Sequence, residues 1–155
     1  AEVAAALAGY AADPTGRHNE TVAVLQDVRV LVPVMAVLGE VEHDERGLAQ
    51  DKTSDMAAVL MRGRDGRLAL LAFTGTESLR RWNPDARPVP VPLRQAALSA
   101  LQDEAEAVVV DVAGPTLLVI ETDDLRSLAE GFRLVETPGG WAWARVSDGG
   151  AAPGR

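Results

Sequence analysis

The stretch KTSDMAAVLMRGRDGRLALLAFTGTESLRRWNPDARPVPV, residues 52–91, sets the architecture of this chain. Asp65-Gly66 separates two apolar runs, Met56-Ala-Ala-Val-Leu-Met61 and Leu68-Ala-Leu-Leu-Ala-Phe73. Glycine accepts the positive φ that a type I′ turn needs, so the pair predicts a β-hairpin. Thr74-Gly75-Thr76-Glu77 follows, and a threonine with glutamate three residues on predicts a capping box that opens a helix over Thr76–Trp82. Strand, turn, strand, capped helix and an arginine-proline exit describe a scaffold, and no step in them performs a reaction.

Upstream, Val3, Leu7 and Tyr10 recur at helical spacing, Pro14 with Gly16 breaks the run, and Glu20 to Asp27 resumes it. Val28 to Val37 is β-branched and reads as a strand, with Pro33 at a bulge or facing outward because it has no N–H for the ladder. Gly39 to Thr53 turns polar and acidic and reads as a loop. Downstream, prolines at 88, 90 and 92 permit polyproline geometry or an edge strand and forbid a central one. A helix over Arg94–Ala105 follows, with Ala97, Leu98, Leu101 and Ala105 on its inner face.

Ala107–Asp111 and Thr116–Ile120 then bracket Ala113-Gly-Pro115 as a second hairpin. A helix over Asp123–Glu130 is capped by Thr122 and ended by Gly131. Phe132–Glu136 and Trp141–Val146 pair as a terminal hairpin with both indoles on one face, before a disordered tail. The expected layout is an N-terminal helical segment over 1–27, an α+β domain over 28–131, a hairpin over 132–146 and a tail over 147–155. The fold class is a single α+β domain, an antiparallel or mixed sheet with helices packed on it.

Composition narrows the chemistry. At 155 residues and 47% hydrophobic, the chain is long enough for one domain with a real core. A net charge of −8 argues against nucleic-acid or anionic-membrane binding, and no apolar run is long enough to cross a bilayer. The opening Ala1-Glu-Val-Ala-Ala-Ala-Leu-Ala lacks a basic region and reads as a helical start rather than a signal peptide. Without cysteine there is no disulfide, thiol nucleophile or cysteine-ligated zinc. His18 and His43 show no paired metal-ligand spacing, so no metal and no cofactor is expected.

Thr53-Ser-Asp-Met-Ala-Ala-Val, Gly66-Arg67-Leu-Ala-Leu-Leu-Ala-Phe73-Thr74, the pair Leu79 and Trp82, the exit Pro84-Asp-Ala-Arg87-Pro88-Val-Pro90-Val91 and the Ala113-Gly-Pro115 turn together resemble the SseB N-terminal-domain family. Over roughly Val28 to Gly131 the resemblance implies an α+β fold and a small bacterial, cytoplasmic protein. Family members often carry a proline before the Phe-Thr pair and a serine after it, where this chain has Leu71-Ala72 and Gly75. The resemblance supplies no catalytic residue.

Two neighbourhoods stand out as candidate binding surfaces. Arg80, Arg81, Arg87 and Arg94 surround Trp82 in an otherwise acidic chain, and Arg and Trp are over-represented at binding hot spots. Against that, Trp82 lies three residues after Leu79, the spacing of a core position. Lys52, the one lysine, precedes Thr53, Ser54 and Asp55, and a serine–lysine pair serves as nucleophile and base only where burial lowers the amine pKa. His43 among Glu40, Glu42, Asp44 and Glu45 lacks the residue order of a calcium loop and reads as a solvated acidic stretch.

The leading expectation is therefore a non-enzymatic protein-interaction or ligand-sensing module, meeting an acidic protein surface or a small anionic ligand through its arginines. The alternatives are a small hydrolase or transferase using Lys52 with Ser54 or Asp55, and a structural subunit that dimerises through the terminal hairpin.

Overall fold

In the computed structural model, which describes residues 2–36 and 56–145, the chain reverses at Asp65-Gly66 between strands β3 (Leu60–Arg62) and β4 (Leu68–Ala72). The hairpin is there, with a different turn from the one expected. Gly66 N–H donates to Gly63 O at 3.0 Å and Gly63 N–H to Arg67 O at 2.8 Å. Gly66 alone in this loop has a positive φ, 84°. A type I′ turn needs two such residues, so this is a three-residue loop closed by a left-handed glycine. Asp65 Oδ1 accepts from Arg67 N–H at 3.0 Å, the local bond aspartate makes two residues on.

Strand β4 runs beside β6 (Ala107–Val110) in parallel, and β6 pairs antiparallel with β7 (Leu118–Glu121), giving a mixed sheet of order β3-β4-β6-β7. A parallel pair demands a long crossover, which here carries α3 (Thr76–Trp82), β5 (Arg87–Pro92) and α4 (Leu93–Gln102). Burial on both faces explains why β4 and β6 are apolar throughout. A second, antiparallel sheet has the order β2-β1-β5, with β1 spanning Arg29–Ala36 and β2 spanning Met56–Ala58. Leu31 and Phe73 exchange two backbone hydrogen bonds of 2.8 Å and join the sheets.

The prolines are accommodated by alternation. Pro33 was expected at a bulge or facing outward; it is buried in the middle strand, paired with Pro88. Its missing N–H lies on the side away from β5, where its carbonyl accepts from Val59 N–H at 3.1 Å. Strand β5 is an edge, as proline at alternate positions requires. Its register puts Val89 and Val91 opposite Val32 and Val30, so the backbone of Pro88 and Pro90 faces outward and offers no donor to another strand.

Among the helices, α1 (Glu2–Ala12) ends at Asp13, whose Oδ1 accepts from Gly16 N–H at 3.1 Å as N-cap of α2 (Pro14–Leu25). Pro14 therefore starts the second helix and Gly16 lies within it, where a longer break was expected. In α4 the inner face is Leu93, Ala96, Ala97 and Ala100, while Leu98, expected inside, is exposed. Thr122 is the first residue of α5 (Thr122–Ala129) rather than its cap, and its hydroxyl donates to Glu106 O at 2.6 Å. Gly131, at φ 92°, terminates that helix in the left-handed conformation.

Strands β8 (Phe132–Thr137) and β9 (Gly140–Arg145) form the last hairpin, with Trp141 and Trp143 packed on the main core. Gln26 clamps it to α2 through Leu134: its amide donates to Leu134 O at 2.7 Å and accepts from Leu134 N–H at 2.9 Å. The chain is one α+β unit with a mixed sheet, and its main core gathers side chains from α2, β1, β4, α4, β6, β7, α5 and β8. No helix among the described residues is long and apolar enough to cross a membrane.

Candidate functional site

The parallel strands β4 and β6 end side by side, and the first polar residues beyond them meet. Asp111, 1% exposed, accepts from Thr74 N–H at 2.9 Å and from the Thr74 hydroxyl at 2.7 Å. Asp111 N–H donates to Ala72 O at 2.9 Å, and its own carbonyl accepts from Gly114 N–H at 2.9 Å. Every bond here serves to hold the strand ends and the β6–β7 turn together. Thr74 is thus engaged with Asp111, and the capping box expected between Thr74 and Glu77 does not form. Gly75 takes the N-cap of α3, with its N–H bonded to Ser78 Oγ at 3.3 Å and its carbonyl accepting from the same hydroxyl at 3.0 Å.

Beyond these strand ends lies a cavity of about 550 Å³, within the roughly 300–1,000 Å³ range of ligand pockets. Helix α1 supplies one apolar wall through Val3 and Leu7, the β6–β7 turn supplies Pro115, and α3 supplies Ser78 from its first turn and Arg81 from its last. The spacing of Val3 and Leu7 puts both on one helical face, and that stripe of α1 is the cavity wall. Arg81 sits 3.7 Å from Glu77 one turn back, an exposed and stretched pair that holds the guanidinium only loosely. The hydroxyls of Thr74 and Ser78 are taken by Asp111 and Gly75, which leaves Arg81 as the loosely tied cation at the rim. The lining is mostly apolar, and its charged groups are Arg81, its partner Glu77 and the Asp111 carboxylate already engaged by Thr74.

The four arginines grouped in the sequence do not converge. Arg81 lines the cavity, Arg80 and Arg87 are exposed away from it, and Arg94 belongs to a separate cleft. Trp82 is half-buried and stacks on Phe73 at 5.6 Å between ring centroids, part of a second core under β4 and β6. Lys52, Thr53, Ser54 and Asp55, like His43 and its acidic neighbours, lie outside the described residues. Among the described residues no cluster of three or more metal-ligating side chains occurs.

Arg67 and Arg133 both have raised pKa values, and both lie away from the cavity. Arg67 is held up by hydrogen bonds to Glu121 and Glu106, at 2.6 and 3.0 Å, and stitches the β3–β4 turn to β6 and β7. Arg133 is held up by its hydrogen bond to Asp27. Neither change brings a proton transfer near neutral pH.

Sequence reasoning missed Thr74, Asp111 and the α1 wall. The available signal was the first polar residue after each of two fully apolar strands, which becomes informative once those strands are known to run in parallel.

A family model described as SseB protein N-terminal domain matches residues 3–127, which takes in every wall of the cavity. The chain belongs to that family. No curated protein and no solved structure matches it.

Proposed function

We propose that this SseB-family protein is a non-enzymatic ligand-sensing module that takes a small molecule with an apolar body and an anionic end into the cavity beside Arg81. The observation that carries this reading is the position of the cavity at the carboxyl ends of the parallel strands β4 and β6. There the chain leaves the two strands for different connections, and in sheets with parallel strands this is where ligand crevices open. The apolar wall from α1 and Pro115 desolvates the body of the ligand, and the guanidinium of Arg81 fixes its charged end. A ligand so placed touches both α1 and the sheet, and its binding stabilises the docking of the N-terminal helix.

A thermal-shift screen tests the reading with three sets of compounds: apolar carboxylates and phosphates, matched neutral molecules, and matched amines. At about 100 times Kd a ligand adds about 2.7 kcal/mol, or roughly 5–10 °C in Tm for a domain of this size. Stabilisation confined to the anionic set supports the proposal. Equal response to all three sets, or none to the anionic set, refutes it.

A further inference from the structure

We infer that a second cleft, between the first turn of α4, the end of α5 and the hairpin β8–β9, binds a phosphate monoester through Arg94 and Arg145. The cleft has a volume of about 380 Å³ and shares no lining residue with the cavity beside Arg81. Three arginines from three different elements reach it: Arg94 from α4, Arg133 from β8 and Arg145 from β9. Such a convergence of cations in a chain of net charge −8 opposes the average field of the molecule.

The three arginines differ in what they have left to give. Arg133 is committed to Asp27, with Nη1 and Nη2 at 2.6 and 2.8 Å from its two carboxylate oxygens. Arg145 lies over the ring of Phe132, 4.6 Å from its centroid, a contact that orients the guanidinium without consuming its N–H donors. Arg94 comes close to Gly131, where an added Cβ would stand 3.8 Å from its Nη2. Among the described residues neither Arg94 nor Arg145 is paired with a carboxylate. Two forks, that of Arg145 oriented by Phe132, therefore remain for a ligand.

The surroundings narrow its chemistry. Glu130 also lines the cleft, and the carbonyl end of α5 adds partial negative charge. Both weigh against a singly charged anion, which fills one fork and leaves the other opposed. A phosphate monoester carries close to two charges at neutral pH and three terminal oxygens, which matches the charge and donor count of two guanidiniums. The volume is near the small end of the range for ligand clefts, and Arg145 already covers one face of Phe132, the one aromatic ring lining the cleft, which favours a compact ligand over a stacked nucleobase. The ligand class is a small, non-aromatic organic phosphate.

Phosphorus NMR and calorimetry with glycerol phosphate as the probe test the site, with inorganic phosphate, sulfate and acetate as comparison ions. Saturable binding of glycerol phosphate, absent for acetate, is expected in the intact chain. Arg94→Gln and Arg145→Gln should each weaken it by about tenfold or more, while Arg80→Gln leaves it unchanged. Binding of sulfate as tight as that of glycerol phosphate would reassign the site to any tetrahedral dianion and overturn the monoester. No saturable binding, or binding by both cleft variants as tight as that of the parent chain, overturns the site altogether. Should Arg145→Gln unfold the hairpin, Arg94→Gln, on an exposed first-turn residue, decides alone.

Discussion

The carboxylate of Asp111 receives both the amide and the hydroxyl of Thr74, at 2.9 and 2.7 Å, across the ends of two parallel strands. The pair fixes the floor on which the cavity rests. It also holds Asp111 at a positive φ of 55°, a conformation that aspartate and asparagine tolerate better than other side chains. Asp111→Ala removes the acceptor and keeps the strained backbone, and should cost about 2–4 kcal/mol. Asp111→Asn keeps the conformation and one acceptor, and should cost about half as much. Urea unfolding of the two variants gives the order, and a cost for Asn equal to that for Ala would show that the left-handed backbone matters little.

Trp82 stacks on Phe73 with an interplanar angle of 33° inside the smaller core. Trp82→Ala should cost about 2–3 kcal/mol, less than for a fully buried indole because the ring is half-exposed. A near-neutral result by chemical denaturation would free Trp82 for the role of a surface anchor.

The Arg67 network should respond to salt and not to pH across the neutral and mildly alkaline range. A raised guanidinium pKa means that its contribution is fully present below the value of the unfolded chain and is lost only as pH climbs through the folded value. The groups are exposed, so ions screen them. Arg67→Gln should therefore lower stability at low ionic strength and make little difference in about 1 M salt. A loss unchanged by salt would contradict an electrostatic origin.

Pro88 and Pro90 leave the outer edge of β5 without donors. Pro90→Val restores one, and the variant should self-associate at concentrations where the parent chain does not. Light scattering on both proteins reads this directly; an equally monodisperse variant would mean that the edge is protected by something other than its prolines.

How far the sequence carries is visible at particular residues. Thr76–Trp82 appears at the expected bounds because its signal is local, a cap region followed by helical spacing and ended before Asn83-Pro84. Gly66 and Gly131 take the left-handed conformations their turns require. What failed was non-local. Thr74 was assigned to a local cap, and its partner lies 37 residues away on a strand whose parallel pairing leaves no mark in composition. Leu98 was placed inward on periodicity, but the register of α4 is set by packing against α5 and the sheet, which buries Leu93, Ala96, Ala97 and Ala100 instead. At the site, Arg81 was legible as a cation in an acidic chain. Its apolar counterpart on α1, some 75 residues upstream, was not, because only the folded chain brings Val3 and Leu7 to face it.

The most direct test of the ligand-sensing reading is calorimetric titration of the best anionic hit into the parent protein, Arg81→Gln and Arg80→Gln. Both arginines are exposed neighbours on α3, and only Arg81 lines the cavity. Loss of the charge-assisted contact should weaken binding to Arg81→Gln by about tenfold or more and leave Arg80→Gln within about twofold of the parent. Equal weakening in both variants would mean that the ligand answers to the general charge of the helix, and no weakening in either would place it outside the cavity.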